Sequence, residues 1–336
     1  MITIGVVTFN RPELLKECIS SILAQKYQDW HLIISNDYVL KDVTFADLEI
    51  NPDQRITIVN QKKNIGEIAN LNFLLNLCKT KFFTWLCDDD QFHDQFLAKA
   101  VDAFNYFGAN NLVAFYSNYQ TGLTYDVYKT IEPDSYLLSP QIFRQKQFID
   151  RYLLKRLPLI GCYGVMCTEV LKGIGGFKVL GNSFSPYADT LLPISLSEHG
   201  QVAYSGAPLV FLRTHESSLS FTSPDFLGYT TAEGDFVREL TLIHERSPAS
   251  INLERCLGLS CLWFSDNHFA VLMRGRCGST LDVYLKYFKH EISVSLPRLN
   301  FYWKLRLLLH ITHFCLNNAI YSISRKISTF FTKHFK

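Results

Sequence analysis

The first 118 residues alternate between short apolar runs and segments with helical periodicity. The first run, Ile2–Val7, is continuously apolar, which is typical of a strand buried on both faces of a parallel sheet. Parallel neighbours must be joined by a crossover, usually a helix, so the alternation predicts an α/β fold with a mainly parallel sheet flanked by helices. In such sheets, ligands bind beyond the carboxyl ends of the strands. The predicted strands are Ile2–Val7, Trp30–Ser35, Arg55–Val59, Lys81–Cys87 and Asn111–Ser117.

Amphipathic segments lie between these runs. Asn10-Arg11-Pro12-Glu13 predicts the start of a first helix, with Asn10 as the N-cap, an early proline and a capping-box glutamate. Glu67–Cys78 and Asp94–Phe104 have apolar residues at three-to-four spacing and predict the next two helices. The crossovers that a parallel sheet needs are therefore present.

The pattern loosens through Thr121–Ser139, which we interpret as an internal boundary. A helical stretch near Pro140–Leu154 and a strand at Pro208–Arg213 follow it. Beyond about Ser223 the periodic stretches are all helical, which predicts a helical C-terminal extension. These stretches lie near Leu227–Arg246, Ile251–Met273 and Thr280–Lys289.

Composition limits the class of protein. The 336 residues are 48% hydrophobic and carry a formal net charge of +2, which excludes a disordered chain and gives no overall footprint for nucleic acid. The nine cysteines are an odd number and have neither zinc-site nor disulfide-framework spacing. The N-terminal segment has no signal-peptide pattern, so we expect a reducing, cytoplasmic compartment.

The C-terminal segment Pro297–Lys336 contains seven Lys or Arg residues and no acid, interleaved with aromatic and leucine residues. This composition predicts an amphipathic tail in an anionic membrane surface, where each nearby cation contributes about 1 kcal/mol. The alternative is a helix packed on the protein with its basic face in solvent. Leu307–Ser324 is uncharged but contains His, Asn and Ser residues, so we do not expect a spanning helix.

The apolar run that ends at Cys87 is followed at once by Asp88-Asp89-Asp90. Adjacent carboxylates repel one another, and a hard divalent cation would neutralise them. In an extended segment Asp88 and Asp90 would share one side and could hold one Mg²⁺ or Mn²⁺ together with a diphosphate. The alternative is a solvated loop that caps the helix from Asp94.

Other candidate residues follow predicted strands or lie in apolar surroundings. Asp37 follows the second strand, and Lys62-Lys63-Asn64-Ile65-Gly66 follows the third and could meet phosphate. Asp189 has apolar neighbours that would raise its pKa, which suits a general base. His215 follows the Pro208–Arg213 strand. Each also has an ordinary interpretation, as a turn residue, a surface lysine pair, a helix N-cap or a loop histidine.

Taken together and in order, these motifs resemble those of family 2 glycosyltransferases over roughly residues 1–222. No single motif is as specific as the series. The motifs are Val6–Pro12, Ser35-Asn36-Asp37, Asn64-Ile65-Gly66 with Asn70, Asp88-Asp89-Asp90, Gly175-Gly176-Phe177, Asp189, and Arg213-Thr214-His215 with Ser218 and Ser220.

The resemblance implies a GT-A fold and inverting transfer of a sugar from a nucleotide-diphospho-sugar to a hydroxyl of a glycan or lipid-linked acceptor. It implies a donor half at 1–118, an acceptor and catalytic half at 119–222, and a helical region with a basic tail at 223–336. Asp189 resembles the catalytic base, and Asp88, Asp90 and His215 resemble ligands of Mn²⁺ or Mg²⁺. The donor-binding set would be Thr8, Asn10, Asp37, Asn64, Asp88 and Asp89, with Asp37 on the base.

The chain also departs from the family pattern. Asn36 stands where a second acid is common, Tyr38 where a small residue is usual, and Cys87 where many members begin Asp-X-Asp-Asp. Ala188 stands where an acid often precedes the base. The main hypothesis is thus a metal-dependent transferase, peripheral on the inner membrane face and active in polysaccharide biosynthesis. The alternative is a non-catalytic, membrane-associated nucleotide-sugar-binding or scaffold protein.

Two further enzyme classes lack their expected motifs. A sugar-phosphate nucleotidyltransferase would need a basic, glycine-rich phosphate loop near the N-terminus, and a dinucleotide oxidoreductase would need Gly-X-Gly-X-X-Gly after the first strand. Thr8–Pro12 matches neither pattern.

Overall fold

The computed structural model describes residues 1–108, 111–123, 140–215, 225–248, 251–274, 286–287, 289–291, 295 and 298–311. Within these ranges, nine strands join one sheet. The strands are β1 (Ile2–Thr8), β2 (Trp30–Asn36), β3 (Ile56–Asn60), β4 (Phe82–Cys87), β5 (Gln91–Phe92), β6 (Leu112–Gly122), β7 (Gln141–Phe143), β8 (Val165–Cys167) and β9 (Gln201–Arg213).

The principal helices connect and flank these strands. They are α1 (Pro12–Leu23), α2 (Glu67–Leu77), α3 (Phe96–Phe107), α4 (Gln145–Leu153), α5 (Thr168–Gly173), α6 (Ala188–Ser197), α7 (Phe226–Arg246), α8 (Leu253–Arg274) and α9 (residues 301–311). The predicted α/β class with a helical C-terminal region is confirmed.

The sheet has the strand order β3-β2-β1-β4-β8-β6-β9-β5, and β7 pairs with β9. Strands β1 to β4 run parallel, because α1 and α2 each return the chain to the same edge. β1 is buried along its whole length, which explains its continuous apolar sequence. β8 is antiparallel to both β4 and β6 and joins the two halves of the sheet.

Register brings several polar residues to one edge. Thr8 pairs with Asn36, Asn36 with Asn60, and Val7 with Cys87, so β1, β2, β3 and β4 end level with one another. β5 runs antiparallel to the end of β9, with Gln91 opposite Phe211. Because β5 begins directly after Asp90, this pairing carries the acidic segment to the end of β9. The sequence did not indicate β5, β7 or β8, which are only two or three residues long.

One predicted helix cap is wrong. The N-cap of α1 is Arg11 and has no side-chain capping bond. Asn10 lies in the left-handed region with φ 55°. The chain turns sharply there, and the Arg11 side chain contacts the acidic segment, as described below. Pro12 and Glu13 do lie in the first turn, where the missing N–H and the negative charge suit the helix start.

The chain forms two compact units. The first comprises Met1–Leu219 with Gly228–Ile251, and the second Ser220–Leu227 with Asn252–Lys336. The predicted division at 118 and 222 stays a prediction. Most of the predicted boundary Thr121–Ser139 and of the helix Thr280–Lys289 lies outside the described residues, as does the tail beyond residue 311.

Within the second unit, one face of α9 is buried. Trp303, Leu307 and Ile311 are buried at four-residue spacing, and Trp303 packs on Gly258 of α8. None of the helices in the described part of the chain has the length and apolar character needed to cross a bilayer.

Candidate active site

The acidic segment forms a turn. The backbone N–H of Asp90 donates to the carbonyl of Cys87 over 3.2 Å, so the strand ends at Cys87 and the next two residues reverse the chain. The extended backbone assumed from the sequence is therefore absent. As a result Cys87, Asp89 and Asp90 bring their ligand atoms within 4.8 Å of one another, whereas Asp88 is directed elsewhere.

Asp88 is fixed by the loop that follows β1. Its Oδ2 accepts from the Thr8 hydroxyl at 2.7 Å and from the Phe9 N–H at 3.3 Å, and its Oδ1 accepts from Arg11 at 3.2 Å. The carboxylate is almost fully buried. These three donors hold the β1–α1 loop against the end of β4, and the metal role of Asp88 stays a prediction.

Asp89 connects the loop after β1 with the end of β9. Its Oδ2 accepts from Arg11 at 2.8 Å and lies 3.0 Å from Nε2 of His215. Asp90 is held from the other side. Its Oδ2 accepts from the Tyr163 hydroxyl, and its Oδ1 accepts from the Arg213 N–H at 2.9 Å. The structure thus brings the predicted residues Thr8, Asp88, Asp89, Asp90 and His215 into one contiguous network.

Burial changes the protonation of this network. Loss of hydration raises the pKa of Asp88 to about 6, against an opposing effect of the Thr8 hydrogen bond. Burial, reinforced by the charge of Asp89, also raises the pKa of Asp90. Burial disfavours the charged forms of these crowded carboxylates, and a bound divalent cation would neutralise their charge. The carboxylate oxygens of this network are therefore suitable ligands for such a cation.

Asp37 and Asn64 organise a second loop. Asp37 accepts from the Ile65 N–H at 2.8 Å and from the Gly66 N–H at 2.9 Å, and its own N–H donates to the Thr8 carbonyl. The Asn64 side chain accepts from Gly66 as well. Gly66 has φ 84°, which explains the glycine before α2. Asp37 therefore fixes the loop, and its contact with the base stays a prediction.

A groove of about 400 Å³ opens beside the first turn of α1. Thr8, Asn10 and Arg11 line one side, and Asn36 and Tyr38 line the other.

Two departures from the family pattern have physical explanations in the walls of this groove. The Asn36 amide donates to the Lys41 carbonyl and to Asn60, each at 2.9 Å, which a carboxylate could not do. The Tyr38 ring contacts Phe9 edge-to-face at 5.2 Å.

Asp189 lies in the first turn of α6, two residues after a strained residue. Tyr187, the N-cap, has φ 73°, a left-handed conformation that is rare for a bulky side chain. The Asp189 carbonyl packs on Gly161, where a Cβ would lie 1.7 Å from that oxygen. Burial raises the pKa of Asp189 above its ordinary value, which suits proton abstraction near neutral pH.

Three further residues contact or influence the site. Glu67, in the first turn of α2, is exposed at its surface, yet partial desolvation of its carboxyl, followed by the charges of Asp89 and Asp189, raises its pKa to about 7. Asp89 and Asp189 therefore both lie within electrostatic range of Glu67. Tyr163 holds Asp90, and Arg11 bridges Asp88 and Asp89. None of these three roles was predicted, although Arg11 belongs to the Val6–Pro12 motif, Glu67 follows Asn64-Ile65-Gly66, and the sequence suggested Tyr163 only as a neighbour of the sugar sites.

The chain is similar in sequence to known glycosyltransferases. A β-1,3-glucosyltransferase of Campylobacter jejuni, named as acting on GalNAc(5)-diNAcBac-PP-undecaprenol, is 33% identical over 92 residues, 27% of this chain and 30% of that protein. The match covers about a third of the length of the first curated relatives.

Solved structures show the same fold. Residues 1–349 of Staphylococcus aureus TarS, bound to UDP-GlcNAc, superpose with a TM-score of 0.59 at 13% identity, covering 88% of this chain and 79% of that one. The mannosyltransferase PcManGT of Pyrobaculum calidifontis, bound to GDP-Man and Mn²⁺, gives 0.50 at 15% identity, covering 93% and 85%.

The match to a family model begins in β1 and ends just after α5. The model of the family described as "Glycosyl transferase family 2" matches residues 3–174, just over half of the chain. This chain belongs to glycosyl transferase family 2.

Proposed function

We propose that this chain transfers a sugar from a nucleotide-diphospho-sugar to a hydroxyl of a glycan or lipid-linked acceptor, with inversion at the donor carbon. The observation that carries the proposal is that the acidic turn and Asp189 lie close to the same two residues, Glu67 and Cys162. The charges of Asp89 and Asp189 both raise the pKa of Glu67, and those of Asp189 and Asp90 both raise the pKa of Cys162. This proximity supports a cation site near a partly buried carboxylate that could act as a general base.

In the proposed reaction, Asp189 accepts the proton of the acceptor hydroxyl. The hydroxyl oxygen bonds to the donor carbon from the face opposite the leaving group, and the bond to the diphosphate breaks with its electron pair on the departing oxygen. The raised pKa of Asp189 makes it a stronger base than an ordinary aspartate once it is ionised. Its place in the first turn of a buried helix fixes its direction.

Asp89 and Asp90 would hold the divalent cation, with His215 beside Asp89 as a further ligand. Such a cation, when bound, neutralises charge on the departing diphosphate. Arg213 supports the site with both its backbone and its side chain, since its backbone N–H donates to Asp90 and its guanidinium Nε donates to the Asp89 carbonyl at 3.1 Å. The Mn²⁺-bound relative supports this assignment, and the choice of Mn²⁺ or Mg²⁺ belongs to the proposal.

We assign the nucleoside to the end of β1 and β2. Thr8, Asn10, Asp37 and Asn64 lie on the loops there, and Phe9 is half exposed beside Tyr38, which offers an aromatic surface for a base. TarS bound to UDP-GlcNAc and PcManGT bound to GDP-Man support a nucleotide-sugar in this fold.

The deciding experiment is isothermal titration of the purified chain with a panel of nucleoside diphosphates, with and without Mn²⁺. We expect one nucleotide to bind in a cation-dependent manner, and Asp90→Asn to abolish the dependence. Asp102→Asn, an exposed change on α3, is the matched control. If well-folded protein binds no nucleotide under any condition, the transferase proposal fails and the scaffold hypothesis takes its place.

The second part of the proposal concerns α9. Phe301, Leu305 and Leu309 are 82%, 48% and 62% exposed at four-residue spacing, so they form one apolar stripe. Arg306 and Lys304 flank the stripe, and the sequence from Pro297 onward contains no acid. An exposed apolar stripe beside cations is the pattern of a helix that lies in an anionic lipid surface. A lipid-linked acceptor would make this attachment useful.

Sedimentation with vesicles tests the attachment. We expect the chain to bind vesicles that contain phosphatidylglycerol more strongly than neutral vesicles, and the triple serine variant of Phe301, Leu305 and Leu309 to lose binding. The control is the triple serine variant of Tyr106, Leu123 and Val179, which are exposed elsewhere. Equal binding by the two variants would show that the stripe is not the contact.

A further inference from the structure

The Cys87 thiol belongs to the same ligand cluster as the two carboxylates. Sγ of Cys87 and one carboxylate oxygen each from Asp89 and Asp90 all lie within 4.8 Å of one another. The turn explains this juxtaposition, because the bond from the Asp90 N–H to the Cys87 carbonyl brings the first and last of its four residues together. The ligand atoms of one Zn²⁺ lie about 3.5 Å from one another when the metal–ligand bonds are 2.0–2.3 Å long. The three ligand atoms of this cluster would therefore need to move only slightly closer together to bind one ion.

Two contacts keep the thiol beside the carboxylates. The Cys87 N–H donates to the Tyr163 hydroxyl at 3.4 Å, and the same hydroxyl donates to Asp90. Cys87 also pairs with Val7 at the end of β1, which fixes the last residue of β4. Unlike Cys18, which is completely buried among core residues, Cys87 retains exposed surface at the rim of the acidic cluster.

Sulfur changes which metals a carboxylate site prefers. Mg²⁺ requires oxygen ligands in near-octahedral geometry, and it gains little from a neutral thiol. Zn²⁺, Co²⁺ and Cd²⁺ bind thiolate well enough to displace the thiol proton, so the metal takes the place of the proton on sulfur. A cluster of one thiol and two carboxylates is therefore a site for a thiophilic divalent metal.

We propose that Cys87 is a ligand of the cation site and gives that site a preference for thiophilic divalent metals over Mg²⁺. The inference rests on the cation site of the proposed function and deepens it, since it names the residue that determines metal preference. Binding of Zn²⁺ or Co²⁺ releases the Cys87 proton to solvent and forms one metal–sulfur bond, with no oxidation. The all-oxygen set that remains without the thiol would favour Mg²⁺ and Mn²⁺.

The test is titration of the reduced, full-length protein with Co²⁺ in the absence of nucleotide. A Co²⁺–thiolate bond produces a charge-transfer band in the near ultraviolet, in addition to the visible bands of the ion. We expect the near-ultraviolet band in the native chain and in Cys162→Ser, and its loss in Cys87→Ser. Cys162 is the matched control, because it is likewise a partly exposed thiol but lies outside the ligand cluster.

Affinity provides a second readout. Loss of an outer-shell partner already costs about 10–100-fold in metal affinity, so loss of the ligand should weaken Co²⁺ at least about tenfold. Mg²⁺ affinity should change little in Cys87→Ser. Cys87→Asp, a second variant that retains a ligand, should shift the preference toward Mg²⁺, and circular dichroism verifies that each variant is folded.

Several outcomes overturn the inference. A near-ultraviolet band that survives in Cys87→Ser, or that is unaffected by Asp90→Asn, assigns the bond to another thiol. Visible Co²⁺ bands without the near-ultraviolet band mean that the site has only oxygen and nitrogen ligands, which leaves the proposed transferase function standing. If Co²⁺ does not bind at all, the cation site also fails, whereas nucleotide titration still tests the donor site separately.

Discussion

The two halves of the sheet reach the site in different ways. In the N-terminal half, β1 to β4 are regular, parallel and level at their ends, and the candidate site residues follow directly from those ends. In the half that contains Asp189, the key segment lies outside the strands and depends on a left-handed tyrosine and on a glycine packed against a carbonyl. The first half positions side chains by register, and the second does so by local backbone geometry.

This difference has a consequence for mutation. Many backbone hydrogen bonds together maintain the strand register. One side chain at a strand end can therefore be replaced with little effect on the sheet. The segment around Asp189 has no such redundancy, because Tyr187 has a backbone conformation that few non-glycine residues adopt, and Gly161 leaves no room for a Cβ beside the Asp189 carbonyl. We therefore expect donor-side changes to alter ligand affinity, and changes around Asp189 to alter rate and folding together.

The largest effect is expected from Asp189→Asn. Removal of a general base should lower kcat by about 10²- to 10⁴-fold, while nucleotide affinity stays near that of the native chain. Steady-state kinetics with a competent acceptor and calorimetry measure the two quantities. A fall in nucleotide affinity as large as the fall in kcat would place Asp189 on the donor side instead.

The pH profile tests the same residue. Because burial raises the pKa of Asp189, the base becomes protonated at a higher pH than an ordinary aspartate does. Activity should therefore decline on the acid side at a pH clearly above the ordinary value of 3.8, and Asp189→Glu should move that limb. An acid limb that stays in place in Asp189→Glu would point to a different group.

Gly161→Ala should give the next largest effect and is the sharpest test of the geometric argument. Its Cβ would lie 1.7 Å from the Asp189 carbonyl, so the backbone must move, at a cost of about 1–3 kcal/mol in the free energy of unfolding. The same movement displaces the base and should lower kcat. Gly173→Ala is the control, because its Cβ would meet open space. Equal behaviour of the two variants in urea denaturation and kinetics would contradict the argument.

Tyr163→Phe should have a moderate effect, confined to the donor side. The variant removes the hydroxyl that donates to Asp90, and the loss of such an outer-shell partner typically weakens metal binding by about 10–100-fold. Cation titration measures this change, with Tyr27→Phe, which loses an exposed bond to Asp29, as the control. Unchanged cation affinity in Tyr163→Phe would mean that Asp90 does not depend on this bond.

The smallest effect is expected from Glu67→Gln, and it should be a gain in stability. The pKa of Glu67 is about 7 in the folded chain against an ordinary value of 4.5, so the folded state holds the proton more tightly. Native stability therefore falls as pH rises from about 4.5 to 7, and Glu67→Gln escapes this loss.

With divalent cations chelated, Glu67→Gln should melt at a higher temperature than the native chain at pH 8, and the difference should vanish near pH 4. Glu13→Gln, in the equivalent first turn of α1, is the control and should not be stabilised. A gain that is the same at every pH would show that the charge of Glu67 is not responsible.

Sequence periodicity predicted most of the scaffold because burial dictates it. Ile2–Val7 had to be a strand covered on both faces, and β1 is completely buried. The resemblance located the acids, and the fold brings Thr8, Asp88, Asp89, Asp90 and His215 into one network, although their site roles stay predictions. The assumption of an extended acidic segment failed, because the Asp90 N–H turns back to the Cys87 carbonyl once strand pairing ends.

Other parts of the site had only a weak signal in the sequence, which did not predict their contacts. Tyr163 looks like any core aromatic residue until β8 brings its hydroxyl to Asp90, 73 residues away in the chain. Arg11 lies beside a predicted N-cap, and only the left-handed turn at Asn10 leaves Arg11 to meet Asp88 and Asp89. Such contacts depend on which segments become neighbours, and a local pattern does not encode that.

By itself, the sequence determined the α/β class, the parallel N-terminal half of the sheet and the identity of the acids, because apolar periodicity and motif order are properties of neighbouring residues. The tertiary structure decided which of those acids lie close together, that Cys87 joins them, and that Asp189 lies near enough to Glu67 to raise its pKa. The reason is physical: burial and charge depend on distances between segments far apart in the chain, and those distances exist only after the sheet has formed.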